Sequence, residues 1–396
     1  MQNDKTNLDK TFGWAFIGCG AIAHTVAKEI VKSGKHKIVS VFSRTKARAQ
    51  EFALKYGATA YDTLEDAINC KNVDGVYIAT PHSAHYKNIL EALNCGKPIL
   101  CEKSFTINSA QTQEVLKRAE DKKVFIAEAM WTRFNPLIAQ LRRLIASGEL
   151  GKICSVKAAF CVPLWASKPF VAERVYKKEY GGGALLDLGV YPVSFCQMLL
   201  GKPDSVDVVG ILNNGIDVDN VITLKYNNEQ SLNNAQSLNN AQSLNNAQSL
   251  NNAQSFNNTQ SLNNEVKTQC SKQNCATQEN QNGVNKKPNA TVCTLYASLK
   301  RLKSYTAKIV CERGIVTIPM FYRPSKMKIK LAGMKPKTLK TQSGYIYQFD
   351  AIATAVFAGK TEMAQISHSD TIVVMTILDE VRAKLNHKYA DNIESL

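Results

Sequence analysis

Gly18 and Gly20, in Gly18-Cys19-Gly20-Ala21-Ile22-Ala23, constrain the fold of this chain more than any other feature. The apolar run Trp14, Ala15, Phe16, Ile17 leads into them. Ile22, Val26 and Ile30 follow at four-residue spacing, which puts them on one face of a helix ending near Gly34. Residues 38–42 then read as a second strand. A strand that turns at once into a helix needs a first glycine for the tight turn. A second glycine lets the backbone approach a ligand closely. In this order the motif binds a dinucleotide, whose pyrophosphate sits on the positive helix end. Ala23, at the third position, is still small enough for close helix–strand packing. Gly18, Cys19, Gly20, Ala21 and Ile22 are therefore the expected cofactor loop.

Ser43, Arg44, Thr45 and Lys46 follow the second strand, with no acid among them. An Asp or Glu there would hold a ribose 2′-hydroxyl and repel a 2′-phosphate, whereas Ser43 and Arg44 can hold that phosphate. NADP is favoured over NAD, the other reading being a basic loop that faces water.

The alternation continues with a helix over 64–68 and a buried strand over 73–79. A loop from Thr80-Pro81 carries His82 and His85. A helix over 88–93, a strand over 99–101, a helix over 109–119 and a strand over 124–127 complete the series. Strands alternating with helices over this length predict an α/β class with a doubly wound parallel sheet. Ligands to such a sheet lie beyond the carboxyl ends of its strands, where Gly18, Ser43, Thr80 and Glu102 all fall.

From residue 153 the strands become longer and more alternating, which predicts a second, α+β domain with an open, mostly antiparallel sheet. The expected division is 1–128 and 129–396, the latter interrupted at about 229–290. Within that interruption, residues 230–265 hold six copies of a Gln-Ser-Leu-Asn-Asn-Ala unit with minor variation. One large apolar residue per unit cannot offset the entropy of ordering, so the insert is expected to be disordered. The strands flanking it, over 220–226 and 291–299, read as a hairpin whose loop has been expanded. Gly181-Gly182-Gly183 precedes an apolar helix over 184–200, on which Asp187 and Tyr191 share a face. Taken alone, that pair also reads as a capping carboxylate and a half-buried tyrosine.

At 396 residues two domains are the default, and 44% apolar with 21% charged residues describes a soluble protein. No segment is expected to cross a membrane, and the first five residues do not resemble a secretory leader. Eleven unevenly spaced cysteines suggest reduced thiols and a cytoplasmic location. Cys270 and Cys275 form one pair in a polar tract, too little for a metal site, and none is expected. The net charge of +16 could suggest nucleic acid. Residues 300–340 supply most of the excess, with twelve Lys or Arg against Glu312 alone. Lys326-Met327-Lys328-Ile329-Lys330 alternates as a strand with one wet face does, so a solvated sheet is expected and a nucleic-acid partner is not.

Four motifs, GCGAIA at 18–23, ATPHSAHY at 79–86, CEKS at 101–104 and DLGVY at 187–191, together resemble the glucose–fructose oxidoreductase/inositol dehydrogenase (Gfo/Idh/MocA) family. EAMWTRFNP at 128–136 and GGGALLDLGVYPVS at 181–194 resemble its branch of dimeric dihydrodiol dehydrogenases and NADP-dependent D-xylose dehydrogenases. The resemblance implies a Rossmann domain, a second domain whose open sheet forms a homodimer, and a sugar or diol substrate. It implies catalytic roles for Lys103, Tyr191 and Asp187. Thr80, Pro81, His85, Glu102 and Lys103 would line the cofactor, while Trp131 and Arg133 would border the nicotinamide and the substrate. In that reading Tyr191 takes the hydroxyl proton while the carbinol hydrogen leaves as hydride, and the Lys103 cation lowers the tyrosine pKa. Asp187 orients a neighbouring hydroxyl. Ser104 stands where most relatives have proline, which leaves the pose of Lys103 open. A sugar sensor without turnover and an NAD-dependent glycoside hydrolase of the same fold are the alternatives.

Overall fold

The computed structural model describes residues 11–163, 174–227, 290–302 and 305–396. The repeat insert, Cys270 and Cys275 lie outside the described residues.

The first sheet runs β3-β2-β1-β4-β5-β6, parallel throughout. Its strands are β1 (Phe12–Ile17), β2 (His36–Phe42), β3 (Thr59–Tyr61), β4 (Gly75–Ile78), β5 (Ile99–Glu102) and β6 (Ile126–Ala129). The helices between them are α1 (Ala21–Ser33), α2 (Lys46–Tyr56), α3 (Leu64–Asn69), α4 (His82–Asn94) and α5 (Ser109–Asp121). Strand periodicity divides the core in two. Trp14 and Phe16 of β1 face a layer with Val26 and Phe52, while Ala15 and Ile17 face one with Ile68, Ile89 and Val115. Both faces of β1 and β4 are covered, which is why these two strands read as unbroken apolar runs.

Two local expectations are corrected. His82 and His85 are not in a loop, because α4 already begins at His82. Proline fits the position before a first helical turn, where its missing N–H costs nothing. The region between β2 and the helix over 64–68 also holds α2 and β3, whose polar and basic residues obscured them.

After a short 3₁₀ turn (Trp131–Phe134) and α6 (Pro136–Ala146), the second sheet runs β14-β13-β12-β11-β7-β10-β9-β8. Its strands are β7 (Ile153–Cys161), β8 (Ser205–Asn213), β9 (Ile216–Asn227), β10 (Ala290–Ser298), β11 (Ala307–Cys311), β12 (Gly314–Ile318), β13 (Lys326–Leu331) and β14 (Lys337–Lys340). All pairs are antiparallel except β10 with β7. β9 and β10 pair antiparallel from Asn227↔Ala290, the expected hairpin. In β13, Met327 and Ile329 are buried and Lys328 and Lys330 exposed, the expected alternation.

The apolar helix comprises a π-helical turn (Leu185–Gly189) continuing into α7 (Val190–Leu200). By length and composition the stretch Lys178–Leu200 could cross a membrane, contrary to the expectation from sequence. It is buried inside the fold, against β7, β10 and α9 (His368–Lys384), and a helix apolar all round suits such a core. α8 (Ile346–Phe357) packs on α1 and the 3₁₀ turn, and the chain ends in α10 (Asp391–Glu394).

Candidate active site

At the carboxyl edge of the first sheet the main chain forms the surface. Gly18 has φ +102°, and a Cβ there would lie 2.7 Å from the Ala79 carbonyl oxygen. Its N–H donates to the Phe42 carbonyl at 2.8 Å, tying the turn to β2. A Cβ on Gly20 would meet nothing closer than 3.9 Å, so the space before α1 is open. No side chain caps α1 at Gly20, α2 at Thr45 or α4 at Pro81, and none of the three carries an acid in its first turn. By contrast, Thr63 caps α3 and Asn108 caps α5. Bare amides at a positive helix end, beside a glycine with open space, fit a pyrophosphate.

Arg44 is exposed with no partner among the described residues, whereas Lys46 is paired with Asp62 at 2.8 Å. Ser43 is half-buried near the Cys19 thiol, which burial pushes up to about 11. Arg44 is thus free to meet a 2′-phosphate, Ser43 beside it accepts from the Thr45 N–H at 3.4 Å, and Lys46 is engaged elsewhere. Thr80 Oγ1 accepts from Asn88 at 3.0 Å. His85 lies fully buried behind this loop, its ring nitrogens 2.9 Å from the carbonyls of Thr80 and Ser104. Burial pushes its pKa down to about 4. A neutral imidazole has one N–H, so it donates to one carbonyl at a time. His85 therefore braces the Thr80 loop against Ser104 from behind.

Lys103 follows β5, and its ammonium donates to the Asp187 carbonyl at 2.8 Å. It lies 4.9 Å from the Tyr191 ring centroid. The peptide bond from Lys103 to Ser104 is cis, and the Ser104 hydroxyl donates to the Leu186 carbonyl at 2.9 Å. Lysine and serine together thus grip successive carbonyls of the π-helical turn, which fixes the pose that replacement of proline had left open. Glu102 accepts from the Tyr77 hydroxyl at 2.6 Å, and burial raises its pKa to about 7.

Tyr191 accepts a hydrogen bond from Trp131 Nε1 at 3.0 Å, and Trp131 stacks on Tyr345 with ring centroids 4.2 Å apart. Since the indole can only donate, the phenol keeps its own proton for another acceptor. The expectation that Lys103 lowers the Tyr191 pKa is corrected. Burial, followed by Tyr345 and Glu102, pushes it well above the ordinary value. Lys103 is itself pushed down by burial, opposed by Asp187 and Glu102.

Asp187 pairs with Arg174 through Oδ1, while Oδ2 is buried with no hydrogen-bond partner. Burial opposes its charge, but Arg174 and Lys103 keep its pKa below the ordinary value. A buried carboxylate oxygen without a partner suits a ligand hydroxyl.

Arg133 departs from the expectation that it borders the nicotinamide. Its guanidinium is buried under α7, donating to Ser194 Oγ at 2.9 Å, to the Ser194 carbonyl at 3.0 Å and to Gln197. It also lies 3.5 Å from Asp370. With these contacts it is a strut beneath the helix. Arg174, Tyr77 and Tyr345 join the site without having been foreseen. Arg174 has no motif around it, and Tyr345 arrives from beyond the second sheet.

Comparisons with known proteins bear on the family and the fold. The family model described as GFO/IDH/MocA, an oxidoreductase family with an NAD-binding Rossmann fold, matches residues 12–129. The GFO/IDH/MocA C-terminal domain model matches residues 138–246. The chain is 26% identical to a trans-1,2-dihydrobenzene-1,2-diol dehydrogenase of Danio rerio, over 96% of this chain and 98% of that one. It is 36% identical to an NADP(+) D-xylose 1-dehydrogenase of Hypocrea jecorina, over 47% of this chain and 52% of that enzyme. Similar solved structures include a 3-ketoreductase from Actinomadura kijaniata in complex with NADP and TDP-benzene, with TM-score 0.70 and 18% identity over 95% of this chain and 98% of that one. An aldose-aldose oxidoreductase from Caulobacter crescentus gives 0.71 and 16% over 96% and 99%. These two structures speak for the fold alone. With both domain models matched in order, the chain belongs to the Gfo/Idh/MocA oxidoreductase family.

Proposed function

We propose that this protein transfers hydride between NADP and the alcohol or carbonyl carbon of a sugar or a trans-dihydrodiol. The observation that carries the reading is the meeting of Lys103, Tyr191 and the unpartnered Asp187 Oδ2 at the carboxyl edge of a sheet with a bare glycine-led helix end. A bound nicotinamide would supply or accept the hydride and, in its oxidised form, bring positive charge to the site. Gly18, Gly20, Ala21 and Ile22 would hold the pyrophosphate, and Ser43 with Arg44 the 2′-phosphate. Tyr191, held protonated by burial and steadied by Trp131, donates its proton to a carbonyl oxygen in the reductive direction. In oxidation Tyr191 must first lose that proton to solvent and then, as phenolate, take the substrate hydroxyl proton; the positive charge of a bound oxidised nicotinamide would favour the phenolate. Asp187 Oδ2 accepts from the neighbouring hydroxyl and fixes the orientation of the substrate.

The same reading has the protein in the cytoplasm as a homodimer, with no nucleic-acid or membrane partner. Exposed Val209, Val292 and Ile211 on the open face of the second sheet support a partner there. Sedimentation would report the oligomeric state.

The test is purified protein mixed with NADP⁺ or NAD⁺, following absorbance of the reduced cofactor over D-xylose, other aldoses and dihydrodiols. Turnover with NADP⁺ is expected, and Arg44→Ala should weaken NADP⁺ about 10- to 100-fold while sparing NAD⁺. Binding of NADP⁺ without turnover on any carbonyl or alcohol would replace the enzyme with a sensor.

A further inference from the structure

The triglycine turn has a structural logic that catalysis alone does not explain. Each of its glycines meets a different part of the chain at a distance where a Cβ would force a neighbour to shift. A Cβ on Gly181 would lie 2.5 Å from the Ile107 side chain, and its carbonyl faces His82 Nδ1 at 2.9 Å. A Cβ on Gly182 would lie 2.3 Å from the Val175 carbonyl oxygen, and its own carbonyl accepts from the Tyr389 hydroxyl at 2.7 Å. Gly183 has φ +125°, and a Cβ there would lie 2.0 Å from Asp217 Oδ1.

Asp217, on β9, is fully buried. Its Oδ2 accepts from the Leu185 N–H and from Asn220 Nδ2, each at 2.6 Å. Leu185 is the first residue of the π-helical turn whose Leu186 and Asp187 carbonyls are held by Ser104 and Lys103. Asp217 therefore grips the start of the segment that Lys103 grips two residues later. On its other side, Oδ1 faces His387 Nδ1 at 3.7 Å, too long for a hydrogen bond. Burial pushes Asp217 up to about 7 and His387 down to about 4, so the imidazole is uncharged at neutral pH and the contact is not an ion pair. His387 and Tyr389 belong to the last stretch of chain, which Arg382 and Glu394 fasten to α9 and Asn108 and Gln111 fasten to α5.

We propose that Asp217, backed by His387 and Tyr389 of the C-terminal segment, is a positioning residue for the reaction. It sets the height of the π-helical turn, and so places the Asp187 carboxylate and the carbonyl that aims the Lys103 ammonium. The turnover part of this inference rests on the proposed function, while the positional part does not.

The test uses the whole protein with Asp217→Ala, Asp217→Asn and Tyr389→Phe. Asparagine can still accept from Leu185 N–H, whereas alanine cannot. Asp217→Ala should lower kcat on the order of 10²-fold with NADP⁺ affinity unchanged, because the cofactor rests on the other sheet. Asp217→Asn should recover most of kcat, and Tyr389→Phe should show a smaller loss. Amide hydrogen exchange over 183–191 should speed up in Asp217→Ala, whether or not a substrate is known. A folded Asp217→Ala protein with wild-type kcat, or a fall in kcat that asparagine does not relieve, would overturn the inference. So would unchanged exchange over 183–191, and should Asp217→Ala fail to fold, Tyr389→Phe decides by the same two readouts. A wild type that turns over no substrate would remove the proposed function, and the exchange result would still decide the positional inference.

Discussion

On the first sheet, the surface proposed to face a cofactor is main chain: two glycines and helix ends without side-chain caps, all within a few residues of their own strands. The surface proposed to face a substrate is made of side chains from remote parts of the chain. Lys103 reaches the carbonyl of Asp187, Trp131 reaches Tyr191, and Tyr345 stacks on Trp131. The first kind of surface fails when an atom is added. The second fails when an atom is removed, because each hydrogen bond there has one donor and one acceptor and the stack has one partner ring.

The largest expected effect tests the substrate side. Tyr191→Phe removes the proton donor while keeping the ring, and kcat should fall by about 10²–10⁴-fold with NADP⁺ affinity retained. Unchanged turnover would remove Tyr191 from the chemistry. Gly18→Ala tests the other side by addition. Its methyl would meet the Ala79 carbonyl oxygen at 2.7 Å in a backbone conformation of positive φ. Thermal melting should report a loss of ~1–3 kcal/mol, and a fluorescence titration should report weaker NADPH binding. Wild-type affinity would mean that the glycine turn does not form the cofactor floor.

The smallest effect separates buried carboxylates. Asp187 is held ionised by Arg174 and Lys103, whereas burial raises Glu128 to about 7, its Oε1 without a partner. The folded pKa of Glu128 lies above the unfolded one. The stability it contributes is therefore full below the ordinary carboxylate value and is lost as pH rises through about 7. Glu128→Gln cannot ionise, so its stability relative to wild type should grow by ~1–2 kcal/mol between about pH 5 and pH 8 in denaturant melts. A difference flat with pH would mean that Glu128 is already ionised at the lower end.

Local sequence carried much of this. The glycine turn, the strand–helix alternation and the period-two strands of the second sheet were legible because backbone freedom and face burial act over a few residues. Lys103, Asp187 and Tyr191 could be named from short motifs. Arg133 was named too, but not its direction, since nothing near it in the chain shows that Ser194, Gln197 and Asp370 take up its donors. Arg174 and Asp217 gave no sign at all, because their partners lie in other elements.

The sequence by itself determined the two sheet types and the glycine turn, which follow from spacing and residue chemistry, while Lys103, Tyr191 and Asp187 were named as reacting groups by the family resemblance. Only the tertiary structure decided their state. Burial held Tyr191 protonated, a serine hydroxyl and an ammonium gripped one turn, and Asp217 reached that turn from β9. Desolvation and long-range hydrogen bonds depend on what surrounds a group in space, and neighbours in the chain do not specify that.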